Sequence, residues 1–401
     1  MAIELMRWID YWLGVPVCFL LTGISYILKL VTFRKKENIV PRKFLFIKLS
    51  EMGSIILAYP LMDKVRKDYP QAKIFFLTFK SNKPIFEILN IVHHENILTI
   101  REKSPLLFIL DTLRAMKRIR KERIDIAFDL EFFSRFTAIL TYLSGAVKKV
   151  GFYRYSFEGL YRGNLLTHKV QCNPLIHVSK LFMSLGQVIK SIRKVTPELE
   201  KKIPDEEIVL PSFVSSKEAK KQMWNNLMRL GVVEKAELFL INPGEGRLPQ
   251  REWPVENFVC LGRKLLENSK NYIIIVGTDG DSRNAELLCK LMDNERCLDL
   301  TNKTTISEML DLCGIAKALI ANDSGLAHLA SLTSIKKFIL FGPETPQVFS
   351  PLGGNTKIIC SNLPCSPCLS AFNHRKSACR DNKCLKVIKP DEIYEMIKKC
   401  P

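Results

Sequence analysis

Ala318-Leu319-Ile320-Ala321-Asn322-Asp323-Ser324-Gly325-Leu326-Ala327-His328-Leu329-Ala330-Ser331-Leu332 is the stretch that decides the fold. Residues 318–321 are an apolar, strand-forming run. Asn322-Asp323 ends it, and the LAHLASL spacing after Gly325 is helical. Strand, polar glycine turn, helix is the repeating unit of a parallel sheet covered by helices. The same order recurs on either side. Residues 237–242 (ELFLIN) run into Pro243-Gly244, residues 272–276 (YIIIV) into Gly277, and residues 337–341 (KFILF) into Gly342-Pro343. The first half repeats the pattern. Residues 43–49 (KFLFIKL) reach Ser50, the loop Glu51-Met52-Gly53-Ser54 follows, and residues 55–69 have helical apolar spacing. Residues 74–78 and 124–130 read as further strands, with a helix over 105–123 between them. The expected fold class is therefore α/β, with two parallel-sheet units. A charged, proline-bearing stretch, TPELEKKIPDEEIVLP at 196–211, suits the linker between them. The expected division is 41–205 and 206–401, after a separate segment 1–40. Ligands of such sheets bind at the carboxyl ends of the strands, so two such domains facing across a cleft suggest a two-substrate enzyme.

The chain has 401 residues with 60 Lys and Arg against 41 Asp and Glu, a net charge of +19. Of that excess, +15 falls in residues 1–200. A hydrophobic share of 47% with 25% charged residues excludes wholesale disorder. A basic half reads as a surface for something anionic: nucleic acid, acidic lipid or a phosphorylated substrate. No zinc-finger, helix-turn-helix or RNP-like pattern supports nucleic acid. No G-x-G-x-x-G follows the first strand, which counts against a dinucleotide oxidoreductase.

Residues 11–28, YWLGVPVCFLLTGISYIL, carry no charge and lie at the short limit of a bilayer span. No small-residue cleavage site follows them, against a cleaved signal peptide. Gly14 and Pro16 predict a break or kink near the helix start. Trp8, Tyr11 and Trp12 suit a headgroup boundary, and Arg34-Lys35-Lys36 favours a cytoplasmic remainder. Two readings follow: a single span, or a helix embedded in one leaflet. The helix over 105–123 carries Arg114, Lys117, Arg118, Arg120, Lys121 and Arg123 opposite its apolar side, and could touch anionic headgroups.

Most of the twelve cysteines stand singly in apolar runs and read as small buried hydrophobes. Cys365, Cys368, Cys379 and Cys384 differ, spaced C-x2-C-x10-C-x4-C with His374 between the pairs. That spacing admits zinc or two disulfides, but the loose second pair favours a structural or redox-sensitive loop.

Three turns carry chemistry. Ser324 or Asp323 is expected to cap the helix after Asn322, leaving the N–H groups at Ser324, Gly325 and Leu326 aimed at a phosphate. Gly325 permits close backbone approach, and His328 lies one turn further in. The second turn, residues 242–254, places Asn242, Gly244, Arg247 and Arg251 after a strand. Two glycines and two cations there suit a diphosphate, whose developing charge Arg251 or Arg247 could neutralise. The third, Gly277-Thr278-Asp279-Gly280-Asp281, contains a D-x-D, too short to argue for a metal and better placed for a ribose diol.

Together these strings resemble glycosyltransferase family 9, the lipopolysaccharide heptosyltransferases that use ADP-heptose. The resemblance covers residues 43–398. It rests on K-L-S-x-M-G at Lys48–Gly53, N-P-G…R-x-W-P, N-D-S-G-L-A-H and F-G-P-E-T-P. It implies a GT-B fold, with donor binding in the C-terminal domain and acceptor binding in the N-terminal one. It also implies inverting transfer without a cofactor or an essential metal. By the resemblance Ser324, Gly325, Leu326 and His328, with Asp323 beside them, hold the donor diphosphate. Arg251 stands near the same phosphates, and Asp281 about where an acidic residue meets the ribose. The resemblance implies a nucleotide-diphosphate sugar and an anionic glycolipid acceptor as partners in a bacterium; the basic first half and the hydrophobic segment point to an anionic membrane surface, and Arg34-Lys35-Lys36 to the cytoplasmic face of the inner membrane. No nucleic-acid partner is expected.

One departure matters. The family's first loop reads M-G-D, with the aspartate as general base, and here it is Met52-Gly53-Ser54. A serine cannot take the acceptor proton unaided. Glu51 and Glu131 are the candidate bases, Glu51 ahead, with Gly53 and Ser54 on the acceptor side. The alternative is a catalytically degenerate member that binds nucleotide sugar or glycolipid without transfer.

Overall fold

The computed structural model describes residues 3–31, 40–132, 134–155, 161–190, 195–196, 202–244, 248–370 and 377–399. Arg34-Lys35-Lys36, Arg247 and His374 lie outside the described residues. The chain divides into two compact units, 1–208 and 209–401.

The first unit opens with helices α1 (Ile3–Trp12) and α2 (Gly14–Val31). The break at Leu13 falls just before Gly14, and Pro16 sits in the first turn of α2, where its missing N–H costs nothing. The sheet follows: β1 (Lys43–Ile47), β2 (Lys73–Phe79), β3 (Ile97–Ile100), β4 (Ile126–Asp129), β5 (Lys148–Tyr155), β6 (His168–Cys172) and β7 (Val195–Thr196). Its order is β3-β2-β1-β4-β5-β6-β7, with every pair parallel. The expected helix over 55–69 is two, α3 (Met52–Leu57) and α4 (Tyr59–Asp68), because Pro60 cannot continue the hydrogen-bond ladder. Helices α5 (Ile85–Leu89), α6 (Pro105–Glu122), α7 (Arg135–Leu143) and α8 (Val178–Gln187) complete the unit. Alternate residues of β1 feed two cores. Leu45 and Ile47 join Leu77, Ala127, and Ala115 and Ile119 of α6. Phe44 and Phe46 point the other way and stack on Phe128 at 6.4 and 4.9 Å. Burial on both faces is why the strand reads as a continuous apolar run.

The second unit begins with α9 (Lys217–Arg229). Its sheet holds β8 (Glu237–Asn242), β9 (Asn271–Ile275), β10 (Cys297–Asp299), β11 (Ala318–Asn322), β12 (Lys336–Leu340) and β13 (Thr356–Ile359). The order is β10-β9-β8-β11-β12-β13, again parallel throughout. Helices α10 (Val255–Leu266), α11 (Ser282–Met292), α12 (Ile306–Cys313) and α13 (Gly325–Ala330) connect the strands. Trp253 anchors the core, fully buried, its ring edge-on to Phe258 at 4.7 Å and its indole N–H donated to the Ile388 carbonyl at 3.1 Å. The second sheet runs 3-2-1-4-5-6 in local numbering, the doubly wound order, and the first has the same order with a seventh strand added at its edge. In that order the crevice for ligands opens where the winding reverses, between local strands 1 and 4. That places the β1 and β4 ends together in the first unit, and the β8 and β11 ends together in the second.

Candidate active site

In the first unit, the switch-point loops are 48–54 and 129–134. Glu131 accepts from the Lys48 ammonium at 2.8 Å through Oε2, and from the Leu49 and Ser50 N–H groups at 3.1 and 3.2 Å through Oε1. Lys48 is 2% exposed, so this ion pair is nearly dry. Its partner loop is fixed from below, where Asp129 Oδ1 accepts the Glu131 N–H at 3.1 Å and Asp129 also pairs with the buried Arg162. Glu131 therefore holds the β1 loop in shape. Reaching it with an acceptor hydroxyl would mean displacing these donors.

Glu51 is built differently. It is half-exposed and sits at φ 66° and ψ 91°, a backbone conformation that a side-chain-bearing residue rarely adopts. It stands at the N-terminus of α3, and Ser54 donates its hydroxyl to Glu51 Oε2 at 3.1 Å. Ser54 thus orients the neighbouring carboxylate. Gly53 is buried within α3.

In the second unit, two asparagines tie the strand ends together. Asn242 donates to the Val276 carbonyl at 2.8 Å and accepts from the Ser324 hydroxyl at 3.1 Å. Asn322 donates to the Pro243 and Gly244 carbonyls at 3.2 and 3.1 Å and accepts from the Trp253 N–H at 3.1 Å. Ser324 occupies the expected N-cap position of α13, but its hydroxyl makes no cap bond to that helix. The reason is competition, since the hydroxyl is drawn to Asn242 instead, while Asp323 pairs with Arg251. A Cβ on Gly325 would meet nothing within 4 Å, so the backbone there stands open to approach.

Arg251 lies between two carboxylates. Its Nη1 is 3.5 Å from Asp323 Oδ2, and its Nη2 pairs with Glu344. Glu344 is 2% exposed and is the site residue that local reading misses. The available signal was its place at a strand end, after Gly342-Pro343. His328 is buried on α13. Asp281 is turned inward: its Oδ2 accepts from the Thr278 N–H and hydroxyl at 2.7 and 2.9 Å. Its Oδ1 lies 2.1 Å from where a Cβ on Gly244 would stand. Glycine at 244 is therefore demanded by packing, and Asp281 acts as a brace between the β8 and β9 loops. Cys365, Cys368, Cys379 and Cys384 are free thiols, and no group of three or more His, Cys, Asp or Glu set to hold a metal occurs among the described residues.

The sequence profile of glycosyltransferase family 9 (heptosyltransferase) matches residues 112–378. The chain belongs to glycosyltransferase family 9. Within it, the chain is 27% identical over 161 residues to lipooligosaccharide heptosyltransferase 2 of Campylobacter jejuni. That match covers 40% of this chain and half the length of the relative. The fold is that of the structure of Escherichia coli ADP-heptose lipopolysaccharide heptosyltransferase II. That comparison has a TM-score of 0.68 at 18% identity, covering 89% of this chain and 98% of that one. Escherichia coli heptosyltransferase WaaC, solved with ADP, aligns with a TM-score of 0.60 at 15% identity, over 89% and 99% of the two chains. The GT-B-type pair of parallel α/β units is thus shared with these two structures.

Proposed function

We propose that this protein is a membrane-associated, inverting glycosyltransferase. It moves a heptose from ADP-heptose to a lipopolysaccharide core or another anionic glycolipid, at the cytoplasmic face of a bacterial inner membrane. Residues 206–401 take the donor and residues 41–205 the acceptor. The observation that carries this reading is Arg251, fixed by Asp323 and Glu344 beside the open Ser324-Gly325-Leu326 turn at the switch point of the second sheet. A guanidinium fixed between two carboxylates sets a cation beside that turn, and the first N–H groups of α13 add the positive end of a helix. Relatives solved with ADP support the nucleotide.

In the proposed reaction Glu51 takes the proton from the acceptor hydroxyl as its oxygen attacks the anomeric carbon. The bond from that carbon to the diphosphate breaks on the opposite side. ADP leaves with the electron pair, its charge met by Arg251, His328 and the α13 N–H groups, so the chemistry uses no metal or cofactor. Asn242, Gly244 and Asp281 position the donor loops. Ser54, in place of the family's aspartate, motivates the second reading, a binder without transfer. Purified protein given ADP-heptose and a heptose-deficient core glycolipid is expected to release ADP and add one heptose to the acceptor. Retained donor binding with neither transfer nor donor hydrolysis would select the second reading.

A further inference from the structure

We propose that the N-terminal helices and α6 form one monotopic seat on an anionic bilayer, with the helix pair lying in the plane of the membrane and not crossing it. The inference rests on the membrane association proposed above and goes beyond it by fixing the mode and the second contacting element.

The inner face of the helix pair is docked from Asp10 to Tyr26. The Asp10 carboxylate caps α7, accepting from the Phe136 and Arg135 N–H groups at 2.8 and 3.2 Å, and pairs with the Arg135 guanidinium at 3.3 Å. At Gly14 a Cβ would strike the Arg135 side chain at 2.8 Å. Cys18 is fully buried against Ala138 and Leu165. Thr22 accepts from the Asn164 N–H at 2.8 Å, and Tyr26 accepts from the Asn164 amide at 2.8 Å. These positions recur every four residues, one stripe about 24 Å long at a rise of about 1.5 Å per residue. That is most of the roughly 30 Å hydrocarbon core. A crossing helix would have to break every one of these contacts, or carry Asp10, Arg135 and Asn164 into hydrocarbon, where charged and amide groups are costly.

The outer face is apolar and uncovered. Within Trp8–Leu28, an 18-residue window with a mean hydropathy of 1.7 is only 17% buried. Trp8, Trp12, Phe19, Leu20, Ile24 and Ile27 are exposed. Helix α6 adds a second stripe. Leu106, Ile109, Leu110 and Leu113 are exposed at helical spacing, and the exposed Lys117, Arg118 and Lys121 follow. Helices α6 and α7 cover the same sheet face, with Phe108 and Phe136 rings 5.2 Å apart, and α7 carries the docked helix pair. The apolar stripes with a basic margin match an anionic bilayer surface in both hydrophobicity and charge.

The test uses the full chain with an N-terminal epitope tag, in sealed inside-out membrane vesicles treated with protease. A monotopic seat leaves tag and first unit on one side, so both are digested; a protected tag with a digested first unit overturns the proposal. In parallel, Ile109→Asp/Leu113→Asp is expected to lower flotation with phosphatidylglycerol vesicles by about tenfold or more. Its Tm and its transfer to a delipidated, water-soluble acceptor should match the parent chain. Unchanged flotation overturns the role of α6. A lipid-free dimer that buries this face and shuns vesicles would assign it to a second copy, which also overturns the proposal. Absent transfer with normal flotation would strike the glycosyltransferase reading and leave the seat standing.

Discussion

Replacing Glu51 and Glu131 separately by Gln should split activity from stability. At 2.8 Å, the Lys48–Glu131 pair is worth about 6 kcal/mol of Coulomb attraction at an effective dielectric of roughly 20, before desolvation is counted. With Lys48 2% exposed, removing its partner leaves a buried ammonium without an anion. Breaking such a pair costs about 3–5 kcal/mol. For a unit of this size that is a fall in Tm on the order of 10 °C. Glu51→Gln keeps a carbonyl oxygen for the Ser54 hydroxyl and is half-exposed, so its stability should stay within about 0.5 kcal/mol of the parent. As the proton acceptor, however, Glu51 should carry a roughly 10²–10⁴-fold effect on kcat. The assay is continuous ADP release with acceptor at saturation, alongside calorimetric unfolding of each variant. Glu51→Gln with parental kcat would refute the base assignment. Glu131→Gln with a parental Tm and a collapsed kcat would move the role to Glu131.

Three further outcomes follow from the second unit. Arg251→Gln leaves Glu344 and Asp323 buried without their cation and should lower stability by about 3–5 kcal/mol. The Arg251→Gln/Glu344→Gln double variant should regain most of that stability in calorimetry while transfer stays low. Gly244→Ala drives a Cβ into the Asp281 carboxylate, so a loss of about 1–3 kcal/mol and a raised donor KM are expected from unfolding and kinetics. Burial pushes the Lys337 ammonium down from 10.5 to about 8. Between those values the unfolded chain holds a proton that the folded chain has lost. Stability should therefore rise with pH from about 8 to 10.5, and its gain should vanish as pH falls through 8. Denaturant titrations at pH 7.5 and 10 should show this dependence in the parent and not in Lys337→Met.

Much of the architecture was legible because the signals are local. Residues 318–332 announce strand, turn and helix through four apolar residues, an Asn-Asp stop and helical spacing, and the structure places β11 and α13 there. The strands without a local signature include those at the sheet margins. β10 is half-exposed throughout, and β13 alternates with exposed Lys357, so neither needs the continuous apolar run of a central strand. In β5, lysines, tyrosines and an arginine dilute the apolar pattern.

The site divides along the same line. Turn chemistry and the family motifs single out Glu51, Arg251 and the Ser324–His328 turn, since glycine, cap and charge preferences act within a few residues of chain. Tertiary structure alone decided which of these groups face one another. Glu131 meets Lys48 across 83 residues because β4 lies beside β1, and Arg251 meets Asp323 across 72 because β11 lies beside β8. The same placement turned the Ser324 hydroxyl from helix cap to partner of Asn242, and laid an apolar N-terminal helix along α7. A parallel sheet joins strand ends that are distant in sequence, and a buried charge takes the partner that the strand order supplies.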